Sequence, residues 1–382
     1  MNEDWLNKKL REKKDQNALR RLRLPDGKVD MCSNDYLGIA TNGLIEEAWM
    51  QAGLSGKEAV DGPMGHRGTK AMRHGSGGSR LLAGNYPLIE EVEKELALFH
   101  AAEAGLIFNS GYDANLGLLS CIAQRGDTML YDQLSHASMR DGIRLSFARA
   151  LSFGHNDLQD LEKRLQAAEG RVFVATESVF SMDGDQAPLR EMADLCRRYG
   201  AHLIVDEAHA TGVVGERGEG LVQALGLEAA CFARVHTFGK ALGCHGAIVL
   251  GSHRLRDYLI NFSRSFIYTT ALPESSVWAI RIAYRLFPGM RAERIHLQAL
   301  ISRLQRADLA FEKLHSETPI QGVVAPGNEA IKALADRLQA GGLDIRPILY
   351  PTVPKGRERL RIVLHSFNTM EELDRLFHLL GC

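Results

Sequence analysis

A chain of 382 residues, 45% hydrophobic and 24% charged, has the composition of a soluble globular protein and a length that suggests about two domains. Its formal net charge of -1 excludes a global attraction to nucleic acid or to an anionic membrane. The six cysteines, Cys32, Cys121, Cys196, Cys231, Cys244 and Cys382, are scattered without a CxxC pair or a Cys/His cluster at zinc spacing. This favours reduced thiols in a cytoplasmic setting and argues against a metal site. Met1-Asn2-Glu3-Asp4-Trp5 lacks a charged-then-apolar signal pattern, and no run approaches the ~18 apolar residues of a spanning helix. A protein neither exported nor embedded in a membrane is expected.

Residues 1–24 mix Lys, Arg, Asp and Gln with Leu6, Leu10, Leu19 and Leu22, which predicts an amphipathic helix that lies on something. Its basic half reads as a solvated face or as a reach toward an anionic ligand, for which Arg20 and Arg21 are the candidates. Met31 to Gly38 reads as a strand end and turn. Residues 61–84 are dense in glycine, including the run His74-Gly75-Ser76-Gly77-Gly78-Ser79-Arg80, which suits either a flexible loop or close approach to a ligand.

From Pro87 onward the spacing changes. Ile89, Val92, Leu96 and Phe99 recur at helical period, Gly105 to Phe108 reads as a strand, and Asn109-Ser110-Gly111-Tyr112 turns into a helix. Strand, glycine turn and helix amino end together make an anion site suited to a phosphate. Strands at 128–131, 172–175, 201–205, 233–238 and 247–250 alternate with helices at 158–168 and 189–199, which predicts a mostly parallel sheet covered by helices. Beyond about residue 285 a long helix, Arg291 to His315, leads to short strands near Val323, Ile345 and 360–364 and to helices at 328–340 and 370–380. This predicts a smaller α+β domain. The expected division is therefore 1–48, an N-terminal helix and strand segment; 49–284, an α/β domain; and 285–382, a C-terminal α+β domain.

Two predicted strands end in reactive side chains. One runs into Asp206-Glu207-Ala208-His209, the other into Thr237-Phe238-Gly239-Lys240, and open α/β sheets bind ligands at that carboxyl edge. A partly desolvated lysine has a lowered pKa and can act as a nucleophile. Asp206 to His209 also spells a helicase DEAH box, but no GxxxxGK[ST] loop precedes it. A dinucleotide-binding GxGxxG is not formed by Gly75, Gly77 and Gly78. Pyridoxal phosphate needs a lysine, a carboxylate beside the pyridine nitrogen and a phosphate cup. Lys240, Asp206, and the pair of Thr237 with the Gly111-Tyr112 turn supply these, and His136 offers an imidazole face to the ring.

At this point the chain resembles the α-oxoamine synthases within the fold-type I pyridoxal phosphate enzymes. The resemblance is carried by Ser33 to Gly38, Gly75 to Arg80, Ser135-His136-Ala137-Ser138, His155-Asn156-Asp157, Glu177 to Asp185, Val205 to Gly212, Thr237 to Lys240, Tyr268-Thr269-Thr270 and Arg359-Leu360-Arg361, in order over nearly the whole chain. It implies an α/β fold of type I, a mostly parallel central sheet with helices on both faces and a smaller C-terminal domain. It implies that Lys240 binds the cofactor and moves the substrate proton, that Asp206 serves the pyridine nitrogen, and that His209 and Ser181 flank the ring hydroxyl. His136 would stack on the ring, Gly111, Tyr112 and Thr237 would hold the phosphate, and Thr269 or Thr270 would reach the phosphate of a neighbouring subunit in a homodimer. Arg361 would grip the amino acid carboxylate, with Asn34 and Ser76 on the substrate side.

The implied reaction is a decarboxylative condensation of L-alanine with a pimeloyl thioester of CoA or of a carrier protein, releasing CO2. Other α-oxoamine synthases, such as 2-amino-3-ketobutyrate CoA ligase or serine palmitoyltransferase, an ordinary aminotransferase, and a non-catalytic cofactor-binding relative are the alternatives. Two departures stand out: Asn368 occupies a position where family members commonly carry histidine, and the family's VDDAHG is here Val205-Asp206-Glu207-Ala208-His209-Ala210.

Overall fold

Apolar runs separated by helices in the sequence become neighbours in one seven-stranded sheet. Its order is Ala104–Phe108, Ala247–Gly251, Cys231–Thr237, His202–Asp206, Val172–Glu177, Thr128–Asp132 and Arg149–Phe153. All neighbours from Cys231–Thr237 to Arg149–Phe153 pair in parallel, and Ala247–Gly251 runs against both of its partners. Side chains of Val172–Glu177 are buried along the whole strand, as expected where helices cover both faces. Only Arg149–Phe153, at the edge, begins exposed. The computed structural model describes residues 2–22, 24, 26–54 and 75–381, so the glycine-dense stretch before Gly75 lies outside the described residues.

The chain divides into two compact units. The larger holds Leu37–Phe180 and Gln186–Ala292; the smaller holds Met1–Tyr36, Ser181–Asp185 and Glu293–Cys382. Boundaries expected at 48/49 and 284/285 fall inside helices Leu44–Leu54 and Glu274–Leu286, neither of which the apolar spacing had singled out. The N-terminal segment belongs with the C-terminal part because Val29–Asp30 pairs in parallel with Leu343–Asp344.

In the larger unit, Leu106, Phe108, Leu118, Leu119, Met129 and Val235 belong to one core. Helix Gly111–Ile122 crosses helix Ala137–Leu145 closely at Gly142, where a Cβ would lie 2.8 Å from Asn115 O. That contact explains a helix with a glycine inside it, a residue that weakens isolated helices by about 1 kcal/mol.

In the smaller unit, strands Arg346–Ile348, Arg359–Val363, Ile320–Val324 and Glu312–Lys313 form an antiparallel sheet. Helices Asn328–Ala340 and Met370–Leu380 bury Ile331, Leu338, Leu373 and Leu376, and Thr369 with Glu372 forms a capping box at the second. The helix expected to reach His315 stops at Arg306, where Lys313 Nζ turns back onto the carbonyls of Gln305 at 2.8 Å and of Ala307. The N-terminal helix is shorter than expected, Asp4–Asp15, and buries no residue, so Trp5, Leu6 and Leu10 stay exposed.

Candidate active site

Parallel pairing sets Asp132, Glu177, Asp206 and Thr237 at one edge of the sheet, because each is the last residue of its strand. A cleft of about 220 Å³ opens there, lined by Gly111, His136, Glu177, Asp206, Thr237 and Lys240 among others. Lys240 follows its strand by three residues, in a turn closed by Phe238 N to Gly246 O at 2.9 Å and Gly243 N to Lys240 O at 2.9 Å. The half-buried amine meets His209 there, Nζ to Nε2 at 2.7 Å.

Asp206 is 4% exposed. Its Oδ1 accepts from Ala208 N at 2.8 Å and its Oδ2 from Asn115 Nδ2 at 2.7 Å. Two fixed donors orient the carboxylate. Glu177, 3% exposed, accepts from His136 N at 2.7 Å. Burial, reinforced by the negative charge of Asp206, pushes the Glu177 carboxyl up to about 8. His136 caps helix Ala137–Leu145, its Nδ1 accepting from Ser138 N at 3.2 Å. The ring opens to the cleft, yet the crowding of the walls holds its proton affinity below the usual histidine range; Asp206 pulls it up and Lys240 pushes it down.

The turn expected to hold a phosphate opens helix Gly111–Ile122. Ser110 caps it by accepting from Asp113 N at 3.0 Å, and the N–H groups of Gly111 and Tyr112 lie outside the intrahelical ladder. A Cβ on Gly111 would meet Thr237 Cγ2 at 2.4 Å, so only glycine leaves the helix end this close to the neighbouring strand. Thr237 Oγ1 is buried and has no hydrogen-bond partner, an uncommon state for a hydroxyl and one that a bound acceptor would relieve. Tyr112, 43% exposed, gives its hydroxyl to Asp141 Oδ2.

The remaining sequence candidates have partners of their own. Asn109 Nδ2 donates to Thr269 Oγ1 at 2.9 Å and to Thr270 O at 2.8 Å, and neither threonine lines the cleft. Ser76 commits its hydroxyl to Ala271 O at 2.8 Å and Gly78 O at 3.1 Å. Arg80, in the same glycine motif, ion-pairs with the buried Glu93, which also accepts from Ile107 N at 2.8 Å and Arg256 Nη2 at 3.1 Å. In the smaller unit Arg361 donates to Ser181 O at 2.7 Å and to Asn34 Oδ1 at 2.9 Å, and Tyr36 OH reaches the same Asn34 oxygen at 3.2 Å. Arg20 is exposed in that unit. Asn368, the departure from the usual histidine, receives His365 N on its Oδ1 at 2.8 Å and gives Nδ2 to Asp30 O at 3.1 Å.

Sequence reasoning gave no role to Asn115 or Glu177. Glu177 lay inside a matched motif, and Asn115 was a single polar position in a leucine-rich helix, a signal without a direction. Among the described residues no group of His, Cys, Asp and Glu is placed to hold a metal, and no helix is long and apolar enough to cross a membrane.

The profile of the family described as Aminotransferase class I and II matches residues 26–380. The chain is similar to the 8-amino-7-oxononanoate synthase of Emericella nidulans, 43% identical over 98% of this chain and 93% of that one. The same-named enzyme of Chlorobaculum parvum is 42% identical over 91% of this chain and 87% of its own. Among solved structures, Sphingomonas wittichii serine palmitoyltransferase superposes with a TM-score of 0.82 at 30% identity, covering 92% of this chain and 86% of its own. The 8-amino-7-oxononanoate synthase of Francisella tularensis superposes with a TM-score of 0.76 at 28% identity, covering 93% and 97%.

Proposed function

Because the chain belongs to the aminotransferase class I and II family, we propose that it is a pyridoxal phosphate-dependent acyltransferase of the 8-amino-7-oxononanoate synthase kind. It condenses L-alanine with pimeloyl-CoA, or with the pimeloyl thioester of a carrier protein, to 8-amino-7-oxononanoate, CO2 and the free thiol, a step of biotin biosynthesis. The observation that carries the substrate choice is likeness at 43% identity across nearly the full length of both chains.

The cleft fits the cofactor. An orphaned Thr237 hydroxyl beside the end of helix Gly111–Ile122 offers what a phosphate accepts, and Asp206 supplies the anion a protonated pyridine nitrogen requires. When bound, the cofactor supplies a ring that spreads negative charge from the amino acid's Cα.

Each candidate side chain then has a task. Lys240 would hold the cofactor, and its Nζ is the base that would take the Cα proton of alanine; His209 at 2.7 Å is the neighbour that can share a proton with that amine. His136 would lie against the ring, and His209 and Ser181 would serve the ring hydroxyl. Arg361 binds the alanine carboxylate through the planar fork that suits it, with Asn34 and Ser76 assigned to substrate. Arg20 remains a candidate for an anionic group of the acyl donor. The working form is a cytoplasmic homodimer in which Thr269 and Thr270 of one subunit serve the phosphate held by the other.

A second reading, another α-oxoamine synthase, is favoured by the serine palmitoyltransferase superposition. One panel separates them: thiol release and product mass with L-alanine, glycine or L-serine, each against pimeloyl and palmitoyl thioesters. Fastest turnover of alanine with the pimeloyl donor is expected; a preference for serine with the palmitoyl donor rejects the first reading. Keto acid formation without any thioester would mark an aminotransferase.

A further inference from the structure

Two buried side chains without an assigned role connect Asp206 to His136. Asn115, 2% exposed, gives one amide hydrogen to Asp206 Oδ2 at 2.7 Å and the other to Ser138 Oγ at 3.1 Å. Ser138, 1% exposed, therefore accepts from Asn115 and has one hydrogen left to give, and His136 Nδ1 lies 2.8 Å from its oxygen.

The main-chain N–H of Ser138 points at the same ring nitrogen at 3.2 Å. A backbone donor in a helix cap cannot be turned round, so His136 Nδ1 must present a lone pair and the imidazole proton lies on Nε2. The amide orientation is forced as well: turned over, Asn115 Oδ1 would face the Asp206 carboxylate, acceptor against acceptor. Asn115 Oδ1 is buried and without a partner, which fits a side chain held in place by its two donors alone. The charged groups around the ring act in both directions, Asp206 and Asp141 favouring a proton, Lys240 and Arg140 opposing it.

We propose that Asn115 and Ser138 are positioning residues that orient the Asp206 carboxylate and lock His136 as the neutral tautomer protonated on Nε2. The purpose rests on the cofactor reading above. A fixed anion serves the pyridine nitrogen, and an uncharged imidazole sets no second positive charge beside it. The tautomer itself follows from the protein's own hydrogen bonds.

Nuclear magnetic resonance of the full-length chain labelled with 15N-histidine reads the tautomer, with His136→Gln assigning the signals. Spectra are recorded near neutral pH before and after adding pyridoxal 5'-phosphate. A protonated Nε2 and an unprotonated Nδ1 are expected in both samples. In Ser138→Ala the Nδ1 resonance should move as the hydroxyl hydrogen bond is lost, and Asn115→Leu should bind pyridoxal 5'-phosphate about 10–100-fold more weakly, the usual scale for a residue that orients a ligand-holding group. A wild-type His136 protonated on Nδ1 overturns the proposal, as does an Nδ1 resonance that stays put in Ser138→Ala. A folded Asn115→Leu protein with unchanged cofactor affinity also overturns it; should that variant not fold, Ser138→Ala decides alone. Failure of the cofactor reading looks different: no visible band on adding pyridoxal 5'-phosphate to the wild type, with the tautomer unchanged in the cofactor-free sample.

Discussion

Glu177 and Asp206 end neighbouring parallel strands in register, so two buried carboxyl groups stand side by side on one wall of the cleft that holds Lys240. Asp206 receives two fixed hydrogen bonds and Glu177 one; burial, reinforced by the neighbouring Asp206 charge, pushes the Glu177 titration up to about 8. Lys240 opposes that shift.

The raised value has a consequence for stability. Unfolded, Glu177 titrates near its ordinary 4.5; folded, near 8, so between these values the native state holds the proton that the unfolded chain has lost. Its stabilising contribution is complete below about 4.5 and drains away as the pH rises through 8. Glu177→Gln, permanently neutral, should therefore show a flatter stability profile across that window and a gain relative to wild type at its alkaline end. Denaturant unfolding at several pH values measures this, and parallel profiles for the two proteins would rule out a buried proton on Glu177.

Lys240→Ala should remove the visible absorption of the lysine-bound cofactor and lower kcat by at least the ~10²–10⁴-fold typical of a lost acid–base group. His209→Ala, which takes away the partner 2.7 Å from Nζ, should keep the cofactor band while shifting its pH dependence. Absorbance titration of the two variants separates holding the cofactor from sharing the proton. An unchanged spectrum in Lys240→Ala would sink the assignment of that lysine.

Asp206 and Lys240 were legible in the sequence because each follows an apolar run, and runs separated by helices must return to one edge of a parallel sheet. Helix Ala137–Leu145 and strand Arg149–Phe153 were not legible: one carries Gly142 in its interior, tolerated only through its close crossing with a second helix, and the other is an edge strand without alternation. Asn115 shows why sites stay partly hidden. Its residue type is visible, but the direction of a polar side chain on an apolar helix depends on which strand the helix packs against. Arg80 shows the reverse, since a charged residue in a glycine motif suggests ligand contact and the fold uses it to neutralise Glu93.

Gly111 and Thr237 make a space-limited pair. With a Cβ 2.4 Å from Thr237 Cγ2, Gly111→Ala must turn the Thr237 side chain or shift the strand end or the helix end, and both residues are proposed to hold the phosphate. Cofactor affinity should fall markedly. Thr237→Ser deletes the obstructing methyl and keeps the hydroxyl, so Gly111→Ala combined with Thr237→Ser should regain much of the loss, a coupling visible in a double-mutant cycle of cofactor dissociation constants. Strictly additive losses would mean that the two residues do not share that space.

Arg361 is held by Ser181 O and Asn34 Oδ1, which fix the plane of its guanidinium. Arg361→Lys keeps the charge and loses the fork, so the Michaelis constant for L-alanine should rise about 10–100-fold, the equivalent of a charge-assisted hydrogen bond worth roughly 1.5–3 kcal/mol. The visible cofactor band should be unaffected. Steady-state kinetics with alanine as the varied substrate tests it, and an unaltered KM would move the carboxylate contact to another residue.

Glu93 carries the clearest purely structural prediction. Its carboxylate, 2% exposed, faces Arg80 and Arg256 and accepts the N–H of Ile107 on strand Ala104–Phe108. Glu93→Ala leaves the Arg80 guanidinium, itself 7% exposed, with its buried counter-charge gone. Breaking such a pair from one side costs about 3–5 kcal/mol, more than deleting a solvated pair by severalfold. Arg256 is more exposed, with a quarter of its side chain in contact with solvent, so Arg256→Ala should cost much less than Glu93→Ala. Denaturant midpoints of the two variants should fall in that order, and equal losses would show that Arg80 finds another partner when Glu93 is gone.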